Sequence, residues 1–150
     1  MNVSAIFDAI VSHAMTTGLF ERVNTHEPRN APGNGLTCAV WAQSINPALG
    51  GSGLASTSGL IGFVVQIYCS MNTEPLDSVD ATVIAAVDAL MTDYSGDFEL
   101  GGNVRNIDLL GQYGKPLSME AGYLEIDETL YRIMTIALPV VVNDLWNQEA

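Results

Sequence analysis

Leu60-Ile-Gly-Phe-Val-Val-Gln-Ile-Tyr-Cys69 decides how this chain folds. Ile61, Phe63, Val65, Ile67 and Cys69 share one parity, the period of a strand. A breaker-rich bridge follows, Asn72-Thr-Glu-Pro-Leu-Asp77, and then the period changes. Val83, Val87, Leu90, Met91 and Tyr94 recur at three- and four-residue spacing, which predicts a helix that stops at Ser95-Gly96. A strand that feeds a helix with a matching apolar face is a core unit, and other strands must complete its sheet. Asp77 and Asp80 both qualify as the helix cap, and either puts negative charge at the positive end of the helix dipole. Gly59–Ser95 is thus a spine, and the rest of the chain is read outward from it.

Working back from the spine, Pro47–Gly59 is a long tract of small residues. Gly51-Ser-Gly53 lacks the glycine spacing of a nucleophile elbow, and Ser56 stands where the third glycine of a dinucleotide fingerprint belongs. The tract reads either as an arm that touches another subunit or as a plain mobile loop. Leu36–Asn46 is strand-like with apolar residues on both parities, which predicts cover on two faces: helices on one, a partner subunit on the other. A hairpin about the middle of the tract sets Cys38 opposite a position near Ile67, two residues short of Cys69, so a disulfide between the cysteines is out of register. Glu27–Gly35 is a Pro/Gly loop, Phe20–Thr25 a short strand, and residues 3–17 an amphipathic helix with Val3, Ile6, Phe7, Ile10 and Ala14 on one face. Asn2 or Ser4 caps that helix, and Gly18 follows its end.

Forward of the spine, Asn103–Leu110 reads as another short strand and Gly111–Leu117 as a loop that projects Tyr113 and Lys115, an aromatic beside a cation, as protein contacts. Tyr123–Ile126 and Thr129–Leu138 form a hairpin through Asp127-Glu128. A two-residue turn there sets Leu124 opposite Tyr131 and Tyr123 opposite Arg132; Glu128 suits positive φ poorly, which leaves a longer loop and a shifted register open. Pro139 cannot donate a ladder bond, so Val140–Val142 is expected on an edge or just beyond the sheet. Asn143–Ala150 reads as a tail anchored by Trp146. The fold expected is α/β of the α+β kind: one domain over 1–150, a mixed, mostly antiparallel sheet, an N-terminal and a central helix on one face, and a C-terminal β-hairpin.

Composition narrows the function. One domain suits 150 residues, and 48% hydrophobic residues suit a packed core. Five basic residues against 17 acidic ones give a formal charge of −12. The cations are scattered, which argues against gripping nucleic acid or an anionic membrane. The N-terminus lacks the early positive charge of a signal peptide, and two cysteines make no disulfide framework.

Catalytic chemistry finds little footing. His13 reads as a surface or partly packed helix residue. His26 beside Glu27 is the least implausible base–orienter pair, although adjacent residues seldom converge on one point. Asp93, Asp97 and Glu99 lack the ordered loop of a cation site and read as a solvated charged edge, and Glu125 and Asp127 read as solvated hairpin charges. The expectation is no catalytic residue, no metal and no cofactor.

Several runs resemble tail terminator proteins of long-tailed bacteriophages, the minor tail proteins that close the tail tube. They are Phe20–Pro28, Ala31–Gly33, Ser52–Leu54, Asn103–Gly111, Ala121–Asp127, Tyr131–Met134 and Leu138–Asp144. Asp127-Glu128 stands where many relatives have Asp-Gly. The resemblance implies a structural virion protein, not an enzyme, that forms a homohexameric ring on the last hexamer of the tail tube protein. Such a ring halts tube growth and presents its other face to the connector proteins of the head and neck. Six copies at −12 would let DNA pass an acidic lumen without sticking. Leu54, Tyr113, Lys115 and Trp146 are the residues expected at subunit or partner contacts. The rival readings are a head-completion or neck connector protein and, in another class, a small-ligand-binding or hydrolytic domain using Ser52 or His26.

Overall fold

A computed structural model describes residues 2–27, 35–48, 56–71 and 78–147. Helix α1 (Val3–Thr16) starts where the Asn2 Oδ1 accepts the Ala5 N–H at 3.1 Å. It ends before Gly18, whose φ of 69° lies in the left-handed region a helix terminus uses. Strand β1 (Arg22–Asn24) runs parallel to β2 (Leu36–Pro47). Strand β3 (Ser56–Ser70) returns antiparallel to β2, and α2 (Val79–Gly96) crosses back over the sheet. A 3-10 turn (Leu100–Gly102) leads to β4 (Asn106–Ile107), and the chain closes with β5 (Ser118–Ile126) and β6 (Thr129–Asn147). The sheet order is β1-β2-β3-β6-β4, with β5 also on β6, and every pair except β1–β2 is antiparallel. The expected α+β architecture is the one found.

Both helices cover one face. Cys38 and Val40 of β2, Ile61 to Cys69 at odd positions of β3, and Met134 to Val142 at even positions of β6 meet Ile6, Ile10, Val83 and Leu90 in one core. Each such side chain contributes about 1.5–3 kcal/mol by leaving water. Phe7 packs edge-on to Phe63, ring centroids 5.2 Å apart, and the buried Tyr94 hydroxyl donates to the Ile10 carbonyl at 3.1 Å. On the opposite face Ala39, Tyr68 and Tyr131 form a second, smaller cluster with Trp41, Leu124, Ile126 and Ile133. Part of the cover expected there from another subunit therefore comes from the chain's own curled sheet.

Register follows the reading closely in two places. Cys38 stands opposite Ile67 while Cys69 stands opposite Leu36; both are buried and neither is in a disulfide. Leu124 faces Tyr131 and Tyr123 faces Arg132 across a tight turn in which Asp127 (φ 50°) and Glu128 (φ 64°) both take the left-handed conformation. Glu128 accepts a cost of roughly 1–2 kcal/mol there because the regular ladder on either side imposes the turn.

Four expectations need correction. Asn103–Leu110 yields only the two-residue β4, since a 3-10 turn precedes it and Asp108 bends the chain into the next loop. Val140–Val142 is neither edge nor exterior: it is buried, with Val140 and Val141 paired to β3 on one side and β4 on the other. Pro139 is tolerated because pairing along that edge of β6 passes from β5, ending at Ala137, to β4, starting at Val140. Its carbonyl still accepts the Asp108 N–H at 2.8 Å, so the missing N–H falls in the seam. The expected tail is strand: Trp146 lies opposite Thr57, and β6 runs to Asn147. Finally, Ser78 is the N-cap residue of α2; Asp80 lies inside the first turn, and Asp77 is outside the described residues.

Candidate assembly surfaces

Asp108 builds the loop that carries two of the expected contact residues. Its buried carboxylate accepts the N–H groups of Gln112 at 2.7 Å and Tyr113 at 2.9 Å. Its carbonyl takes those of Gly111 and Leu117, which closes the loop on one residue. Gly111 is required at the turn: φ is 77°, and a Cβ there would stand 2.7 Å from the Gly114 carbonyl. Tyr113 is half-buried and Lys115 exposed. Lys115 lines a cavity of about 220 Å³ with Gln43, Ser44, Asn46, Gly62 and Pro139. A Cβ at Gly62 would lie 2.7 Å from the Ser44 Oγ, a side-chain end that would have to turn aside. Trp146 is 42% exposed near the end of β6, opposite Thr57 of β3. Leu54 and Ser52 lie outside the described residues.

The second half of β2 is the least covered part of the sheet. Ala42–Pro47 is exposed throughout, beyond the reach of β1, which pairs only with Thr37–Ala39. A bulge at Gln43 shifts the register, after which Ile45 pairs with Ile61 on the helix side and Ser44 with Gly62 on the other. At the far side of the sheet Met119, Tyr123 and Leu130 are exposed on the β5–β6 hairpin, and Leu110 is 93% exposed before the Asp108 loop. From sequence, a partner subunit was expected on one face of β2, but none of these residues was named as a contact. One signal was available: from Asn30 to Thr73, between Arg29 and Glu74, there is no charged residue, in a chain otherwise strongly acidic.

A few of the chain's charged groups tie the fold together. Arg132 donates to Asp80 at 2.9 Å and to the Gly122 carbonyl at 3.2 Å, with its guanidinium 4.5 Å above the Tyr123 ring. This ties α2 to the hairpin. His13 and Asp97 meet at 2.8 Å across 84 residues, edge-on to Tyr94, and join α1 to the end of α2. The Gly101 N–H first, and His13 second, hold the Asp97 carboxyl below its ordinary value. Asp97 is thus a clamp between helices, where sequence spacing suggested a solvated edge. His26 Nδ1 lies 3.2 Å from the backbone carbonyl of Glu27, so in this contact the Glu27 carboxylate does not orient the ring. Burial pushes the Cys38 thiol up to about 12, far from a thiolate at neutral pH. Among the described residues no cluster of His, Cys, Asp or Glu is arranged to hold a metal, and no helix is long and apolar enough to cross a membrane.

No protein-family model matches the chain, and no curated protein sequence matches it. Among solved structures, a chain from the virion of a native gene transfer agent particle is similar at 14% identity and a TM-score of 0.37, covering 94% of this chain and 87% of that one. A likeness at that score establishes neither a shared fold nor a shared role.

Proposed function

We propose that this chain is a structural protein of a phage-type virion, a tail terminator that assembles as a homohexameric ring. The ring would cap the tail tube, stop its polymerisation and offer its other face to the head or neck. The observation that carries this reading is the pair of uncovered sheet ends. Ile45 on β2 and Met119, Tyr123 and Leu130 on the β5–β6 hairpin are large apolar side chains left in water at opposite sides of one sheet. Exposed apolar groups grouped in this way mark protein contact surfaces. A subunit with contact surfaces at two different places forms head-to-tail assemblies, and rings when the rotation closes.

The resemblance supplies the identity of the assembly. Its described runs fall on β1, on β4 with the Asp108 loop, and on β5 and β6, so they belong to the sheet and its connections. Lys115, Tyr113 and Trp146 are assigned to subunit or partner contacts, and the acidic surface is assigned to a lumen through which DNA passes. No catalytic, metal or cofactor role is proposed. Negative-stain imaging of the purified protein should show rings, and adding it to polymerising tail tubes should stop their growth. Rings that fail to cap tubes but bind isolated heads would instead favour the neck-connector reading. A monomer that turns over a small substrate, with the loss of turnover on Ser52→Ala or His26→Ala, would overturn both.

A further inference from the structure

The uncharged run and the two open edges of the sheet fit one another. Each copy carries −12, so two copies repel wherever acidic surfaces face. The outer half of β2 is the exception: Ala42–Pro47 is exposed, uncharged, and carries Ile45 at 49% exposure. A basic partner would be drawn to the acidic surface and would gain nothing from this neutral one. A second copy of the same acidic chain is the partner for which a charge-free strand matters most.

The other edge has the complementary character. β5 is paired along all nine residues with β6, without a bulge or proline, and its far side meets no strand among the described residues. Open edges are ready templates for another strand. Parity agrees as well. Met119 and Tyr123 lie opposite Ile136 and Arg132, on the helix side of the sheet, as Ile45 does opposite Ile61. Glu120 lies opposite Thr135 on the other side, and Lys115 lines the cavity with Ser44 and Gly62 on that same side. A sheet continued from one copy into the next therefore brings apolar groups together on one face and a cation to an acid on the other.

We infer that the outer half of β2 of one copy docks on the β5 edge of the next, with Ile45 against Met119 and Tyr123, and Lys115 facing Glu120. The bulge at Gln43 and Pro47 limit backbone pairing to Ser44–Asn46, so side chains carry the rest of the contact. The inference rests on the self-assembling reading above and names its contact.

A photo-crosslinking residue at position 45 of the full chain tests it. Crosslinks are expected to join two copies and to map to Ser118–Ile126. Lys115→Glu and Glu120→Lys should each lower the fraction of assembled protein at least several-fold, and the double variant should restore it. Crosslinks that map to the helices, or a double variant no better than the singles, would overturn the contact. Circular dichroism on each variant checks that its fold is intact. Rings that cap tubes while position 45 crosslinks elsewhere would sink this contact and leave the terminator reading standing. Crosslinks to β5 in assemblies that never cap tubes would do the reverse.

Discussion

The two halves of β2 belong to one strand and end in different surroundings, the inner half almost wholly apolar and the outer half carrying Gln43, Ser44 and Asn46 beside Ile45. Leu36–Val40 is buried at every position, while Ala42–Pro47 is exposed at every position. The inner half lies between β1 and β3, with α1 and α2 on one face and the Tyr68–Tyr131 pair on the other, rings edge-on at 6.4 Å. Among the described residues, the outer half has β3 alone. Apolar residues on both parities report that a strand should be covered on both faces; they do not say whether the cover comes from the same chain. Here the inner half is completed by its own chain, and the outer half is left exposed.

That contrast can be broken by mutation. Ile67→Ala, fully buried opposite Cys38, should cost about 2–5 kcal/mol in denaturant unfolding. A cost below about 1 kcal/mol would mean that the inner half is looser than its burial implies. Asp108→Ala leaves the Gln112 and Tyr113 N–H groups without their acceptor and should cost roughly 1–3 kcal/mol, with faster proteolysis between Gly111 and Leu117. A stability loss with unchanged proteolysis would show that the loop is held by something other than Asp108.

Acid sharpens the comparison on the helix side. The folded Asp97 carboxyl lies below its ordinary value of 3.8, so the folded state binds its proton less readily than the unfolded chain. Its stabilisation is complete above the ordinary carboxylate range and fades as pH falls through that range toward the folded value. Asp97→Asn should therefore show a shallower loss of stability on acidification than the parent; parallel acid limbs would remove Asp97 as the clamp. The smallest effect is expected at Ile45→Ala. In dilute, unassembled protein it should change stability by no more than about 0.5 kcal/mol. A loss as large as that of Ile67→Ala would show the outer half packing within its own chain.

Local pattern made much of this legible. The odd-parity run of β3 and the three- and four-residue spacing in α2 named most of the central core, because strand and helix periods are properties of the backbone itself. The hairpin register followed from a two-residue turn, since pairing propagates from wherever the turn is set. Proline was misread for a physical reason. Its missing N–H forbids a ladder bond, but Pro139 stands in the seam between β5 and β4, where none is needed, and only the partners of β6 reveal that seam. Asp97 was misread because its partner is His13, 84 residues away, and no spacing rule reaches that far.

The candidate surfaces divide the same way. Tyr113 and Lys115 were visible as a loop tip, yet Asp108, which shapes that loop, looked like one more strand residue. Ile45 and Leu130 read as ordinary apolar strand positions, Tyr123 as the partner of Arg132, and Met119 lay outside the expected hairpin; exposure is a property of what else packs nearby. The sequence by itself determined the period of the central strand and helix and the neutrality of the run from Asn30 to Thr73, and offered the hairpin register found as one of two, because these depend on neighbours along the chain. Only the tertiary structure decided which half of β2 is covered, where Pro139 and Asp97 find their places, and which edges of the sheet stay open. Those outcomes depend on residues far apart in the chain that meet when the sheet closes on itself.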